Sequence, residues 1–324
     1  MAAGDWREPA RAGKVTDCVC SEDSHMQRLP ALAVISILTL LGSGCSRTEF
    51  AYRHADWLLE YQARRTVAAN AEQRALWQPV LADTLAHHRE EELPLVIAYL
   101  DLASRGIGKM DSAIDAACLV EATLLLYQRH ARLAVDLSVP LLSALDAAQV
   151  RHLAGFMEQR QERAVKEYLK PDTGNRKAAR QQRFVERIEN WTGSLNEQQR
   201  QQVSDAVVHI PDLSAPWLAY RTQKTDTLLE MLETGTSATS LRAHINDWWV
   251  EMDGRSAEFN QQWQLAKQQF LLMLDELNVT LPGKQRTRLE QQLTALRSDL
   301  APFLPAAQAP LYSQLVSLCA APAV

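Results

Sequence analysis

Beyond residue 45 the apolar positions of this chain recur every three to four residues. Leu241, Ile245, Trp248 and Met252 share one helical face. Phe259, Trp263, Ala266, Phe270, Met273 and Leu277 form a longer stripe. Phe184, Ile188, Trp191 and Leu195 form another, and Val150, Leu153 and Met157 a shorter one. Such stripes bury against neighbouring helices, so these aromatic residues are read as core and none of the tryptophans is assigned a role. No period-2 alternation stands between turn signals, and glycine is sparse, with 12 in the whole chain. The breaks fall where helix punctuation belongs. Pro94 suits the first turn of a helix beginning near Leu93, Gly106-Ile107-Gly108 ends it, and Asp111 can cap the next. Corners follow at residues 171–174, 211–216 and 234–236. The expected fold is all-α, a bundle of roughly ten or more helices over residues 45–305. No linker forces a domain boundary, although soft ones are possible near 171–175 or 211–216. Pro305, Pro310 and Pro322 among alanines predict a loose tail over 306–324.

The one uninterrupted apolar run, residues 29–41, is too short to span a bilayer, which takes ~20 apolar residues. It fits the core of a cleavable export signal, with Met26-Gln27-Arg28 as its basic start and Gly42-Ser43-Gly44-Cys45 as its small-residue end. Leu41, Gly42, Ser43, Gly44 and Cys45 look like a bacterial lipobox. They depart from it in having Gly42 where Leu is usual, with Leu41 one place earlier. The chemistry requires the Cys45 thiol, the nucleophile that takes up the lipid. Residues 26–44 are therefore expected to be a lipoprotein signal peptide and Cys45 the lipidation site. It would carry a diacylglyceryl group and an N-acyl chain such as palmitate. Several chains matter, because one acyl chain anchors only marginally. Residues 1–25 are polar and without periodicity, as expected of a start site assigned too early.

Charge narrows the partners. Removing residues 1–44 takes four basic and five acidic side chains from totals of 34 and 39, which leaves 30 and 34, a net charge of −4. That is no footprint for nucleic acid, which asks for a basic domain. The 280 residues from Cys45 onward can bury a sizeable core. Cys118 and Cys319 have no metal-site spacing. They are expected to stay unpaired, one buried on a helix and one in the tail, with pairing in an oxidising compartment as the alternative.

Candidate chemistry is thin. His87 with Glu91, and His88 with Glu92, stand one helical turn apart, a spacing that can seed a metal site. Arg89 between them opposes a cation, and the stretch is read as a solvated charged face. Arg176, Arg180, Arg183 and Arg187 repeat at helical spacing. They could offer a face to anionic lipid headgroups or a partner's carboxylates, with Glu186 and Glu189 neutralising part of it. No Gly-x-Ser-x-Gly beyond residue 45, no phosphate loop and no His-Glu-x-x-His is present. No catalytic residues, metal or cofactor are assigned, and the chain is expected not to be an enzyme.

One pattern recurs. Residues 69–74, 145–150 and 195–200 each hold an apolar residue, then Asn or Asp, then Gln three positions on; residues 281–286 are a looser copy built on Pro282 and Gln285. Each is a capping-box spacing, with the leading residue able to staple the helix start. The spacing also resembles the Leu-Thr-x-x-Gln motif of periplasmic helical stress proteins of the Spy and CpxP kind, although the Thr is absent from every copy here. That resemblance implies an alternative function, binding of unfolded proteins. Residues 50–59 (Phe-Ala-Tyr-Arg-His-Ala-Asp-Trp-Leu-Leu) and 180–195, ending Trp191-Thr192-Gly193-Ser194-Leu195, together with the lipobox, resemble a family of helical proteobacterial lipoproteins whose domain has no assigned function. This implies an all-α fold and an envelope location, and brings no activity. The expected protein is thus a lipid-anchored envelope domain with a structural or protein-interaction role. Ser46 after the cysteine favours, by analogy with enteric sorting, the periplasmic face of the outer membrane.

Overall fold

The computed structural model describes residues 46–107, 114–169, 173–305 and Leu315. Cys45, the lipobox residues, Asp111 and Cys319 lie outside the described residues. Among those described, every regular element is helical. Helices α1 (Ser46–Arg53), α2 (Ala55–Val67) and α3 (Ala71–His87) lead into a π-helical turn, His88–Glu92, which runs on into α4 (Leu93–Ile107). Helices α5 (Ala116–Leu142) and α6 (Ala147–Tyr168) form a long hairpin. Then come α7 (Thr173–Thr192), α8 (Glu197–His209), α9 (Ser214–Glu233) and α10 (Ala238–Asn246). A second π-helical turn, Asp247–Glu251, precedes α11 (Ala257–Thr280), α12 (Gly283–Leu300) and a closing 3-10 turn, Ala301–Phe303.

The predicted stripes point inward. Leu241, Ile245 and Trp248 are buried with Trp77 and Leu81 of α3, Tyr127, Val135 and Val139 of α5, Leu153 of α6 and Leu228 of α9. A second core joins Val185 of α7, Val203 and Val207 of α8, and Met273 and Leu277 of α11. Between them α4 packs along α12, with Leu93, Ile97, Leu100 and Ala103 set against Leu293, Leu296 and Leu300. Arg297 Nε donates to Asp101 Oδ1 at 2.6 Å on the same seam. This seam spans both soft boundaries, so the early and late helices share one interior.

The recurrent Asn/Asp-x-x-Gln motifs prove to be the joints between hairpins. Asn70, Asp146 and Asn196 each cap a helix with a complete capping box. The fourth copy has none, because Pro282 has neither a capping side chain nor an N–H to receive the glutamine. The four glutamines then meet in two pairs. Gln73 Nε2 donates to Gln149 Oε1 at 2.8 Å, and Gln149 Nε2 returns to Gln73 Oε1 at 2.6 Å. Their other N–H bonds go to the carbonyls of the opposite turn, Gln73 to Ala144 and Gln149 to Ala68. The second pair repeats the plan. Gln199 Nε2 donates to Gln285 Oε1 at 2.9 Å, with a return bond of 3.2 Å, and the carbonyls of Thr280 and Ser194 take the remaining bonds. Each clasp therefore welds the tip of one helical hairpin to the tip of another. In three copies an arginine follows as a strut: Arg74, Arg200 and Arg286 donate back to the carbonyls of Ala69, Leu195 and Leu281.

Local backbone serves the clasps. Gly193 ends α7 at φ +80°, and a Cβ there would stand 2.9 Å from Arg288 Cδ, so the Trp-Thr-Gly-Ser-Leu segment needs glycine at that point. At the matching tip of the first clasp Ala68 takes φ 50° without glycine's freedom.

Two expectations are corrected. The tail is not wholly loose, because Leu315 is buried at 0% exposure among Leu95, Ala98, Leu102 and Cys118. The apolar wall where α4 meets α5 takes a leucine from the tail, which the proline content concealed. Cys118 is disulfide-bonded rather than a free buried thiol; every other cysteine lies outside the described residues.

Gln199→Ala is expected to lower stability by about 2–4 kcal/mol, since it leaves the buried amide of Gln285 without its partner and removes half of the capping box that starts α8. Ala68→Gly is expected to raise it by roughly 0.5–1 kcal/mol by relieving the left-handed alanine. Urea unfolding midpoints of the two variants read both effects.

Candidate functional site

The densest polar cluster forms where the first π-helical turn meets α1 and α5. Pro94 has no N–H to continue an α-helical ladder, and the wider turn, with Leu93 N–H bonded to His88 O, carries the chain past it without a break. The extra residue rotates the acidic stretch. Glu92 turns inward to 3% exposure. It meets α5, where Arg129 grips it with both nitrogens, Nε to Oε2 at 2.7 Å and Nη2 to Oε1 at 2.8 Å. His87 Nε2 stands 3.9 Å from the same carboxylate. The hydrogen bond to Glu92 holds the Arg129 guanidinium above its ordinary range. The expectation of a solvated charged face therefore fails for Glu92, because a π turn shifts the register that an α-helix would have kept.

His88 points to the other side. Its Nδ1 lies 3.0 Å from Tyr52 Oη, and its Nε2 lies 3.1 Å from His130 Nε2. His130 Nδ1 contacts the carbonyl of Leu126 at 2.6 Å. A carbonyl only accepts, so His130 carries its proton on Nδ1 and accepts at Nε2. His88 then donates from Nε2 and receives Tyr52 O–H at Nδ1. The chain of bonds runs one way, from Tyr52 through His88 and His130 to the Leu126 carbonyl. Burial, reinforced by His130, pulls His88 down to about 4, and burial pushes the Tyr52 phenol up to about 12. Tyr52 also packs on Phe303, with ring centroids 4.7 Å apart. The relay thus ties α1 to the π-helical turn, α5 and the end of the helical domain.

A groove of about 690 Å³ lies between α6 and α9, lined by Met157, Gln161, Lys166, Arg221 and Asp226 among others. A smaller one of about 230 Å³ lies between α7 and α8. The arginine face predicted on α7 borders the smaller groove only in part. Arg176 and Arg180 line it opposite Asp212. Arg180 is engaged internally, donating to the carbonyls of Val207 and Pro211 where α8 ends. Arg183 reaches back over the ring of Tyr168, 5.1 Å from its centroid, and Arg187 is also engaged. The four arginines thus do not form one free rail. Among the described residues no group of three or more His, Cys, Asp or Glu side chains is placed to hold a metal ion. Sequence reading missed His130 and Arg129, single residues on α5 with no motif around them. It named Tyr52 only within a longer stretch.

The model of a family of unknown function, DUF6279, matches residues 66–242. The chain belongs to this family. No curated protein and no solved structure matches it. The DUF6279 match runs from the end of α2 into α10. It encloses the first clasp, both histidines of the relay and the Glu92–Arg129 pair, while Tyr52 and Gln285 lie outside it.

Folded His88 stays neutral down to about 4, whereas the unfolded side chain takes up its proton near 6.5. Between these values the unfolded chain binds more protons. Stability should therefore fall as pH drops through this window, by on the order of 3 kcal/mol, and level off below it. His88→Leu should remove that component of the slope, as read by denaturant unfolding at stepped pH. Arg129→Ala should cost about 3–5 kcal/mol at neutral pH, because it leaves the Glu92 carboxylate buried without its partner.

Proposed function

We propose that this DUF6279 protein is an envelope lipoprotein, held at a membrane by acyl chains on Cys45. Its helical domain serves a structural or protein-interaction role in the periplasm, on the outer membrane's inner face. The observation that carries this reading is the junction at Cys45. An export-type apolar run ends in small residues and a cysteine, and in the sequence the helical domain follows that cysteine. The disulfide at Cys118 supports the same reading, since such bonds persist in oxidising compartments. No helix among the described residues is long and apolar enough to cross a membrane; the proposed tether is the lipid on Cys45.

An interaction role is supported by α11. Leu265, Leu272 and Val279 are 41%, 49% and 78% exposed. They recur at the seven-residue spacing by which one helix offers a seam to another. The Gln motifs that suggested binding of unfolded proteins are taken up in the two clasps, with Gln149, Gln199 and Gln285 buried.

Metabolic labelling with a tagged fatty acid, followed by membrane fractionation, tests the tether. Label is expected on the wild-type chain and not on Cys45→Ala, tracking with the outer membrane. A wild-type chain that takes up none overturns the reading. In-cell crosslinking tests the role of α11: a reproducible envelope partner should be captured by the wild type and lost from Leu272→Arg. Its persistence in that variant would count against the seam.

A further inference from the structure

The first two helices carry an aromatic stripe on the wrong side for a core. Phe50, Trp57 and Tyr61 are 58%, 54% and 40% exposed. Bonds from His54 N–H to Phe50 O and from Leu58 N–H to His54 O carry the helical ladder through the bend at His54. At ~100° per residue, positions 50, 54, 57 and 61 therefore fall within about 60° of arc. The His54 ring lies 4.5 Å from Phe50, and Trp57 stacks on Tyr61 at 6.0 Å with ring planes 20° apart. On the opposite side, Tyr52 reaches His88 and Phe303, and Ala63 is buried in the main core. The domain is thus satisfied by one face of α1–α2, and the aromatic face remains outside it. Exposed Arg47 and Arg64 border the stripe, whereas Arg53 pairs with Glu49 and lies over Phe303 on the domain side.

We infer that this face lies on the phospholipid surface that holds the anchor, with α1–α2 flat against it. The inference rests on the lipid tether proposed above. What selects a lipid surface as the occupant is Cys45, the proposed lipid site, which stands only five residues before Phe50 in the sequence. At 1.5 Å of rise per residue, Trp57 stands ~16 Å and Tyr61 ~22 Å along the helix from Ser46. A helix standing upright on its anchor would lift both clear of the headgroup layer. A helix lying flat sets all three rings at that layer, where the amphipathic bodies of Trp and Tyr are at home. The bordering arginines have long apolar stems that let their charged heads reach lipid phosphates. The anchor thereby also sets the orientation of the domain.

The test uses the full chain with its acyl groups, purified from a bacterial envelope. It is reconstituted into vesicles of phosphatidylethanolamine and phosphatidylglycerol, with and without brominated acyl chains, which quench tryptophan on contact. Brominated vesicles are expected to dim the wild-type emission, and Trp57→Phe is expected to abolish that bromine-dependent loss. Trp57 is exposed, so the substitution leaves the core intact. Protein that floats with the vesicles but shows no bromine-dependent loss, or the same loss in Trp57→Phe, overturns the flat docking and leaves the tether standing. Protein that carries no fatty acid and does not float overturns the tether, and the docking with it.

Discussion

The reciprocal glutamine pair is the interaction on which the arrangement of helices depends. A carboxamide offers two donors and an acceptor with two lone pairs. In the Gln73–Gln149 pair all four are used. The oxygen of each takes the cap N–H of its own helix and an N–H of the partner amide, and the nitrogen of each gives its second hydrogen to the facing turn. Full satisfaction is what makes a buried amide tolerable, and any slip of one hairpin past the other would break several bonds at once. The same side chain that starts a helix thus also decides what that helix start must touch.

The second clasp shows which parts of this device are essential. With Pro282 in the cap position, one back-bond is missing, yet Gln285 still meets Gln199 and the Ser194 carbonyl. The cap can be lost and the pairing kept. The chain therefore holds two copies of one joint, the first binding the hairpins α2–α3 and α5–α6, the second binding α7–α8 and α11–α12. The seam of α4 along α12 locks one to the other.

The π-helical turn plays a different part. It converts a stretch that would be a charged surface into two inward contacts, Glu92 with Arg129 and His88 with Tyr52 and His130. A buried carboxylate gripped by a single arginine contributes little net stability, but it penalises any packing that separates α5 from the turn. The relay adds a second condition, since it joins α1, the π turn and α5 through Tyr52, His88 and His130. With α1 fastened through Tyr52, the helix that follows Cys45 becomes a rigid extension of the core rather than a loose leader.

The all-α architecture, the inward faces of α7, α10 and α11 and three of the four helix caps were legible in the sequence, because each depends on residues three or four apart. The export-type run and Cys45 are equally local, which is why the membrane reading comes from sequence. The pairings were not legible. Gln73 meets Gln149 across 76 residues and Gln199 meets Gln285 across 86, and nothing in a capping motif says which other copy it will face. His130 carries no pattern at all. Glu92 sat in a pattern that pointed outward until a π turn changed its register, and Leu315 was hidden among prolines. Sequence determined what each helix is and which side it buries, since helical period and capping are short-range. Only the tertiary structure decided which helices meet, because that choice belongs to side-chain packing between distant segments, where each candidate partner offers the same local chemistry.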